Sequence, residues 1–175
     1  MDRQRIAKIK KVKLLLLDVD GVLTDGRIIY DSRGCDLKLF DVHDGMGVHV
    51  LRKAGIPTIL VTAKSSKAIV PRARDMGVEE VFSDVHPKTC VLDKVLGKYG
   101  VDLDSLCFVG DDLVDVCIMK KVGFAAAVAN ACPEVKAVAD YVTVKRGGRG
   151  AVREIAELIL KTQGAWKKVL KAYDI

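Results

Sequence analysis

The sequence predicts an α/β fold in which a central parallel sheet carries helices on both faces. Two observations predict it. Short apolar runs alternate with longer segments of helical spacing, and most of those segments stop at glycine, as helices commonly do. Repeated strand–helix alternation of this kind produces parallel strands joined by crossovers.

The first strand is expected over 12–19, "VKLLLLDV", a run too uniformly apolar for a sheet with one wet face. Further strands are expected at 57–63 ("PTILVTA"), 79–84 ("EEVFSD"), 106–112 ("LCFVGDD"), 124–129 ("FAAAVA") and 140–144 ("DYVTV"). The helices between and after them fall at 45–55, 65–77, 87–100, 112–123, 133–139 and 150–163. One segment breaks the alternation: "RIIYDSRGCDLKLFDV", 27–42, holds two alternating runs around the turn-former "DSRG" and reads as a β-hairpin flap. No other insertion is long enough for a second, substrate-covering domain, so one domain spanning 1–175 is expected, with a C-terminal tail at about 164–175.

Composition agrees with an aliphatic-core globular protein. Of 175 residues, 50% are hydrophobic, 30% charged and 5% aromatic, which excludes a disordered chain. The net charge of +6 gathers in 3–13 and 166–171, read as solvated helix faces rather than nucleic-acid or membrane contacts. No apolar stretch reaches the roughly 18 residues of a membrane span, and the N-terminus lacks the apolar region of a secretory signal. A cytoplasmic protein is expected. The cysteines at 35, 90, 107, 117 and 132 are odd in number and form no CxxC pair, so neither a disulfide frame nor a zinc site follows.

Chemistry concentrates where the strands end. "LLLLDVDGVLTDG", 14–26, runs an apolar strand into Asp18, Asp20 and Asp25. Ligands of open α/β sheets bind beyond the carboxyl ends of the strands. Asp18 and Asp20, Thr62, the 84–88 loop with Lys88, and Asp111 with Asp112 all fall at such ends. Crowded carboxylates need a cation, and an all-oxygen set without Cys or His suits Mg²⁺. A hydroxyl and an ammonium opposite it complete the equipment for holding a phosphoryl group.

The indicated chemistry is phosphoryl transfer. Asp18 is the nucleophile that becomes an aspartyl phosphate, and Asp20 the acid and then base for the leaving group and water. Asp18, the Asp20 carbonyl and Asp111 hold the metal; Thr62 and Lys88 bind the phosphoryl oxygens. Asp112 and Asp115 either orient metal-bound water or hold Lys88. Thr62 has a second reading, as a cap for the helix expected at 65, where Ser65 would serve equally. The "GGRG" at 147–150 is either a loop or a means of bringing Arg149 to a site, and His43 and His49 receive no catalytic role.

"DVDGVLTDG", "VTAKSS", Lys88 and "VGDDLVD" resemble, in order and spacing, the four motifs of the haloacid dehalogenase superfamily over about 12–130. "FDVHDGMGVHVLRKAGI", "GDDLVDVCIMKKVGFAAAVANA" and "ADYVTVKRGGRGAVREIAELIL" extend the likeness to the 3-deoxy-D-manno-octulosonate 8-phosphate (KDO 8-phosphate) phosphatases and to nearly the whole chain. The resemblance implies a Rossmann-like sheet, an aspartyl-phosphate intermediate, Mg²⁺, and a capless homotetramer in which the hairpin and a neighbouring subunit close the site. It implies a phosphorylated sugar acid as substrate, in lipopolysaccharide precursor synthesis, and places Asp41, His43, Asp44, Gly45, Lys64, Arg72 and Lys88 around its phosphate or acid. Lys64 and His43 stand where arginine is frequent in that family, and lysine lacks arginine's planar fork.

Three other readings compete. A nonulosonate 9-phosphate is the nearest alternative substrate. A receiver domain shares the acidic pair, Thr and Lys, but its phospho-acceptor follows the third strand rather than the first. A non-catalytic dehalogenase-like oligomerisation module would tend to lose the motif aspartates, which this chain retains.

Overall fold

In the computed structural model, which describes residues 2–175, six parallel strands form one sheet in the order β5-β4-β1-β6-β7-β8. These are β1 (Leu14–Leu17), β4 (Thr58–Val61), β5 (Glu80–Phe82), β6 (Leu106–Gly110), β7 (Phe124–Ala127) and β8 (Tyr141–Val142). β1 lies at the centre, with Leu16 level with Ile59 of β4 on one side and Phe108 of β6 on the other. All four leucines of β1 are fully buried, which explains the absence of polar alternation.

The helices sort by their neighbours. α1 (Arg3–Lys11), α2 (Val42–Lys53), α3 (Ile69–Met76), α7 (Ala151–Thr162) and α8 (Trp166–Lys171) pack together; α4 (Leu92–Tyr99), α5 (Val116–Met119) and α6 (Pro133–Val138) form the other set. Right-handed crossovers require this split once the chain runs from β1 to β4 and β5, then returns across β1 to β6. The reversal beside β1 is the position at which such sheets bind ligands.

α7 and α2 make the most extensive helix pair. α7 turns Val152, Ile155, Ala156, Ile159 and Leu160 inward, a stripe of helical period. Its N-terminus is capped from α2: the Gly150 and Arg153 amides donate to Asp44 at 3.2 and 3.0 Å. The basic N-terminal helix is partly neutralised by acids of the body, through Lys8 to Asp140 and Lys11 to Asp104. The tail forms α8, with Val169 buried and Trp166 against the core beside Arg153 and Lys161.

Several boundaries move from their expected places. α2 starts at Val42 rather than 45, because Asp41 caps it through the His43 amide. α3 starts at Ile69 rather than 65, with no side-chain cap from Thr62 or Ser65. The Ser65 amide instead donates to Asp84 on the next loop, tying the ends of β4 and β5 together. The helix expected at 112–123 is a 3₁₀ turn at Leu113–Asp115 followed by the short α5. The hairpin is present, but its paired strands are only β2 (Ile29–Tyr30) and β3 (Asp36–Leu37). Asp31 closes its turn by accepting from the Arg33 and Cys35 amides.

Asp44→Ala should therefore act on stability, leaving two part-buried amides at the α7 N-terminus without their cap. We expect a loss of about 1–3 kcal/mol in urea unfolding; an unchanged midpoint would contradict the capping role.

Candidate active site

The loops after β1, β4 and β6, with the turn that carries Lys88, enclose a cavity of about 250 Å³. Asp18, Asp20, Thr62, Lys64, Lys88, Asp111 and Asp112 line it. Asp18 is the first residue past β1 and hydrogen-bonds through its amide to Val109 on β6. The chain then turns sharply: Gly21 has φ +87°, and a Cβ there would lie 1.8 Å from an Asp111 carboxylate oxygen. Only glycine lets the two loops approach so closely.

Lys88 is the centre of the polar arrangement. Its Nζ is fully buried, 2.7 Å from Asp18 Oδ1 and 2.6 Å from Asp115 Oδ1. Burial pulls the ammonium down, but the two carboxylates more than offset this, and its pKa is raised. Asp115 is spoken for on both oxygens, since Oδ2 accepts from the amides of Asp111 and Asp112. This decides the open question about Asp115: it holds Lys88. Asp112 caps the 3₁₀ turn through the Leu113 amide and faces the cavity.

The carboxylates of Asp18, Asp111 and Asp115 converge, with one oxygen from each within 4.8 Å of the others. Burial, then Asp115, raises Asp18 to about 6 despite Lys88. Burial, then Asp18, Asp115 and Asp112, raises Asp111 to about 8. One ammonium is too little positive charge for this cluster. With Asp115 committed to hydrogen bonds, Asp18 and Asp111 are the carboxylates left to hold a cation, and an all-oxygen set fits a hard divalent ion.

Thr62 is buried beyond β4, anchored by its amide to Phe82, and its hydroxyl exchanges hydrogen bonds with the Lys64 backbone. Lys64 reaches toward the flap, its Nζ 3.1 Å from the Tyr30 hydroxyl.

Three residues placed around the substrate by resemblance lie elsewhere in this chain. Asp44 is buried beneath the α7 N-terminus, as described above. Arg72 donates to the Asp41 carbonyl at 2.7 Å and stacks on Phe40, packing α3 against the start of α2. Gly45 lies beneath that guanidinium, where a Cβ would meet an Arg72 nitrogen at 2.5 Å. Asp41 and His43, with Arg149, line a separate cavity of about 280 Å³, to which Asp25 contributes while its neighbour Gly26 lines the catalytic one.

Two contributors escaped sequence reasoning. Lys38 of the flap reaches the Asp20 carboxylate at 2.5 Å. The "GGRG" segment supports the loop after β1 from behind: a Cβ on Gly147 would stand 1.6 Å from the Gly21 carbonyl oxygen, and the Gly148 amide donates to the Val22 carbonyl. The double glycine was the available signal, since backbone packed on backbone leaves no room for side chains.

A profile of haloacid dehalogenase-like hydrolases matches residues 76–155. The chain is 40% identical to the 3-deoxy-D-manno-octulosonate 8-phosphate phosphatase of Escherichia coli (strain K12) over 159 residues, 91% of this chain and 85% of that protein. The Moraxella catarrhalis phosphatase of the same name, solved with magnesium ion, phosphate ion and KDO, superposes with TM-score 0.95 at 38% identity, covering 99% of each chain. The cobalt-bound Haemophilus influenzae enzyme gives 0.86 at 35% identity, over 90% of this chain and 92% of that one.

The cluster has a consequence for metal-free protein. A carboxyl raised in the folded state favours folding while protonated; its contribution is complete below the ordinary carboxylate pKa and lost as pH rises through the folded value, about 8 for Asp111. Asp111→Asn should raise the melting temperature of EDTA-treated protein above pH 8, flatten its decline with pH and remove the stabilisation by added divalent cation. Parallel melting curves for the two proteins would contradict this.

Proposed function

The chain belongs to the 3-deoxy-D-manno-octulosonate 8-phosphate phosphatases of the haloacid dehalogenase superfamily, and from that membership we propose that it hydrolyses KDO 8-phosphate to KDO and phosphate. The observation that carries the chemistry is the buried Asp18–Lys88–Asp115 bridge at the mouth of the central strand. It fixes a nucleophile beside a cation that can reach the phosphoryl oxygens.

Asp18 attacks phosphorus, a P–O bond forms to its carboxylate, and the bond to the sugar oxygen breaks. Asp20 gives its proton to that departing oxygen. Asp20, now a carboxylate, takes a proton from water as the water attacks phosphorus; the aspartyl-phosphate bond breaks, restoring Asp18, and phosphate leaves. Thr62 and Lys88 hold the phosphoryl oxygens through both steps. Mg²⁺ would be held by Asp18, Asp111 and the Asp20 carbonyl, neutralising charge so that one anion can approach another. Asp112 supports that set from the cavity wall.

The sugar acid falls toward Lys64 and the flap, and the neighbouring cavity with His43, Asp41 and Arg149 offers room for its far end. The positive groups there suit a substrate carrying both phosphate and carboxylate.

A homotetramer in which subunits close each other's sites is supported by the flap. Its ladder has two residue pairs, yet Ile28, Tyr30, Leu37 and Leu39 are more than half exposed, as is Val42 beside it. Apolar surface on so slight a hairpin calls for a partner. A cytoplasmic location is supported by five unpaired cysteines, and a role in making the lipopolysaccharide sugar by the proposed substrate; among the described residues, no helix is long and apolar enough to cross a membrane.

Phosphate release with Mg²⁺ from KDO 8-phosphate, a nonulosonate 9-phosphate and a hexose phosphate tests the assignment. Preference for KDO 8-phosphate, abolished in Asp18→Asn, is the expected outcome. Equal turnover of all three would remove the substrate, and no release from any would leave a non-catalytic module.

A further inference from the structure

Asp20 differs from the other cavity carboxylates in what holds it. Asp18 is clamped by Lys88, and Asp111 is pressed against the Gly21 turn. Asp20 sits past the end of the strand with its side chain 30% exposed, and its ion-pair partner comes from the flap. Lys38 Nζ lies 2.5 Å from Asp20 Oδ1 and 3.5 Å from Asp36 Oδ2.

The lysine is out of character for its surroundings. Its neighbours Leu37 and Leu39 are 52% and 69% exposed, whereas the Lys38 side chain is 5% exposed. In extended chain, alternate residues point to opposite sides, so the hairpin turns two leucines outward and sends the one ammonium between them into the site. Burying a charge is costly unless it is paired, and here the partner is the group that must deliver a proton. A second tie, Tyr30 to Lys64, fastens the other arm of the flap without touching Asp20.

The geometry points to Lys38 as a positioning residue for Asp20, an inference that rests on the reading of Asp20 as proton donor. By occupying Oδ1 it fixes the carboxyl's rotation and leaves Oδ2 as the oxygen that carries the proton to the departing sugar oxygen. Flap placement and leaving-group protonation are thereby one event: the substrate's alkoxide is protonated only while the hairpin lies over the site of its own chain.

The test uses leaving groups. An alkyl phosphate such as KDO 8-phosphate needs the proton; p-nitrophenyl phosphate, whose leaving group is a stable anion, needs it little. Four variants of the full-length enzyme with Mg²⁺ are compared on both: Asp20→Asn, Lys38→Met, Lys38→Arg and Tyr30→Phe. Asp20→Asn should lose about 10²-fold or more on the alkyl ester and far less on the aryl one. Lys38→Met should repeat that pattern in kcat, its alkyl loss exceeding its aryl loss by about tenfold, less than the roughly 10²-fold that misplacing a catalytic group by about 1 Å can cost. Lys38→Arg should recover part of the difference. Tyr30→Phe should affect both substrates alike. Lys38→Gln replaces Lys38→Met if the latter does not fold.

Equal losses on both substrates in Lys38→Met would make the lysine a mere fastening of the hairpin and overturn the proposal. A gain on the alkyl ester would do the same, by showing that Lys38 blocks Asp20. Equal losses in Asp20→Asn would overturn the reading of Asp20 itself, a failure distinct from that of Lys38 alone.

Discussion

The structure depends on one buried cation between two carboxylates. Lys88 has no water to solvate it, so its ammonium is stable only while Asp18 and Asp115 face it. Each partner is delivered by a different route: Asp18 by the central strand, Asp115 by the 3₁₀ turn after β6, and Lys88 by the turn after β5. The loops that build the catalytic cavity are thus locked to one another through charge, and the core beneath them, with β1, β6 and β7 buried along their length, holds the strand ends in register. Removing the ammonium would leave both carboxylates buried without a counter-charge.

That constraint also explains why the site is reactive. The bridge pairs Asp18 and Asp115 with Lys88 but gives Asp111 no direct ion pair among the described residues, while Asp111 packs against the Gly21 turn with an oxygen within 4.8 Å of an Asp18 oxygen. Repulsion that would be a defect elsewhere is here the affinity for a divalent ion. The glycines of the 147–150 loop serve the same end by letting main chain stack on main chain behind the loop after β1.

Much of this was legible in the sequence because the chemistry sits at strand ends, and strand ends can be read from where apolar runs meet polar residues. Asp18, Asp20, Thr62, Lys88, Asp111 and Asp112 all line one cavity, as the order of strands implies. What was not legible depends on contacts between distant segments. Resemblance sets Asp44 and Arg72 around the substrate, but within one chain Asp44 caps α7 and Arg72 hydrogen-bonds to the Asp41 carbonyl at the start of α2, contacts that no local pattern reports. α3 begins late because Ser65 gives its amide to Asp84 on another loop, a partner no local propensity reports. Lys38 was passed over because a single lysine in a short hairpin carries no pattern; only the alternation of its exposed neighbours, seen in three dimensions, marks it.

The proposed mechanism turns on Asp18 as the nucleophile that opens the phosphate ester. The most direct measurement is rapid acid quenching of the Mg²⁺-loaded enzyme during turnover of KDO 8-phosphate, followed by peptide mass spectrometry. A phosphoryl group is expected on the peptide carrying Asp18, formed within one turnover and absent in Asp18→Asn. Phosphate release at full rate with no phosphoryl on that peptide, or with the label on another residue, would contradict it.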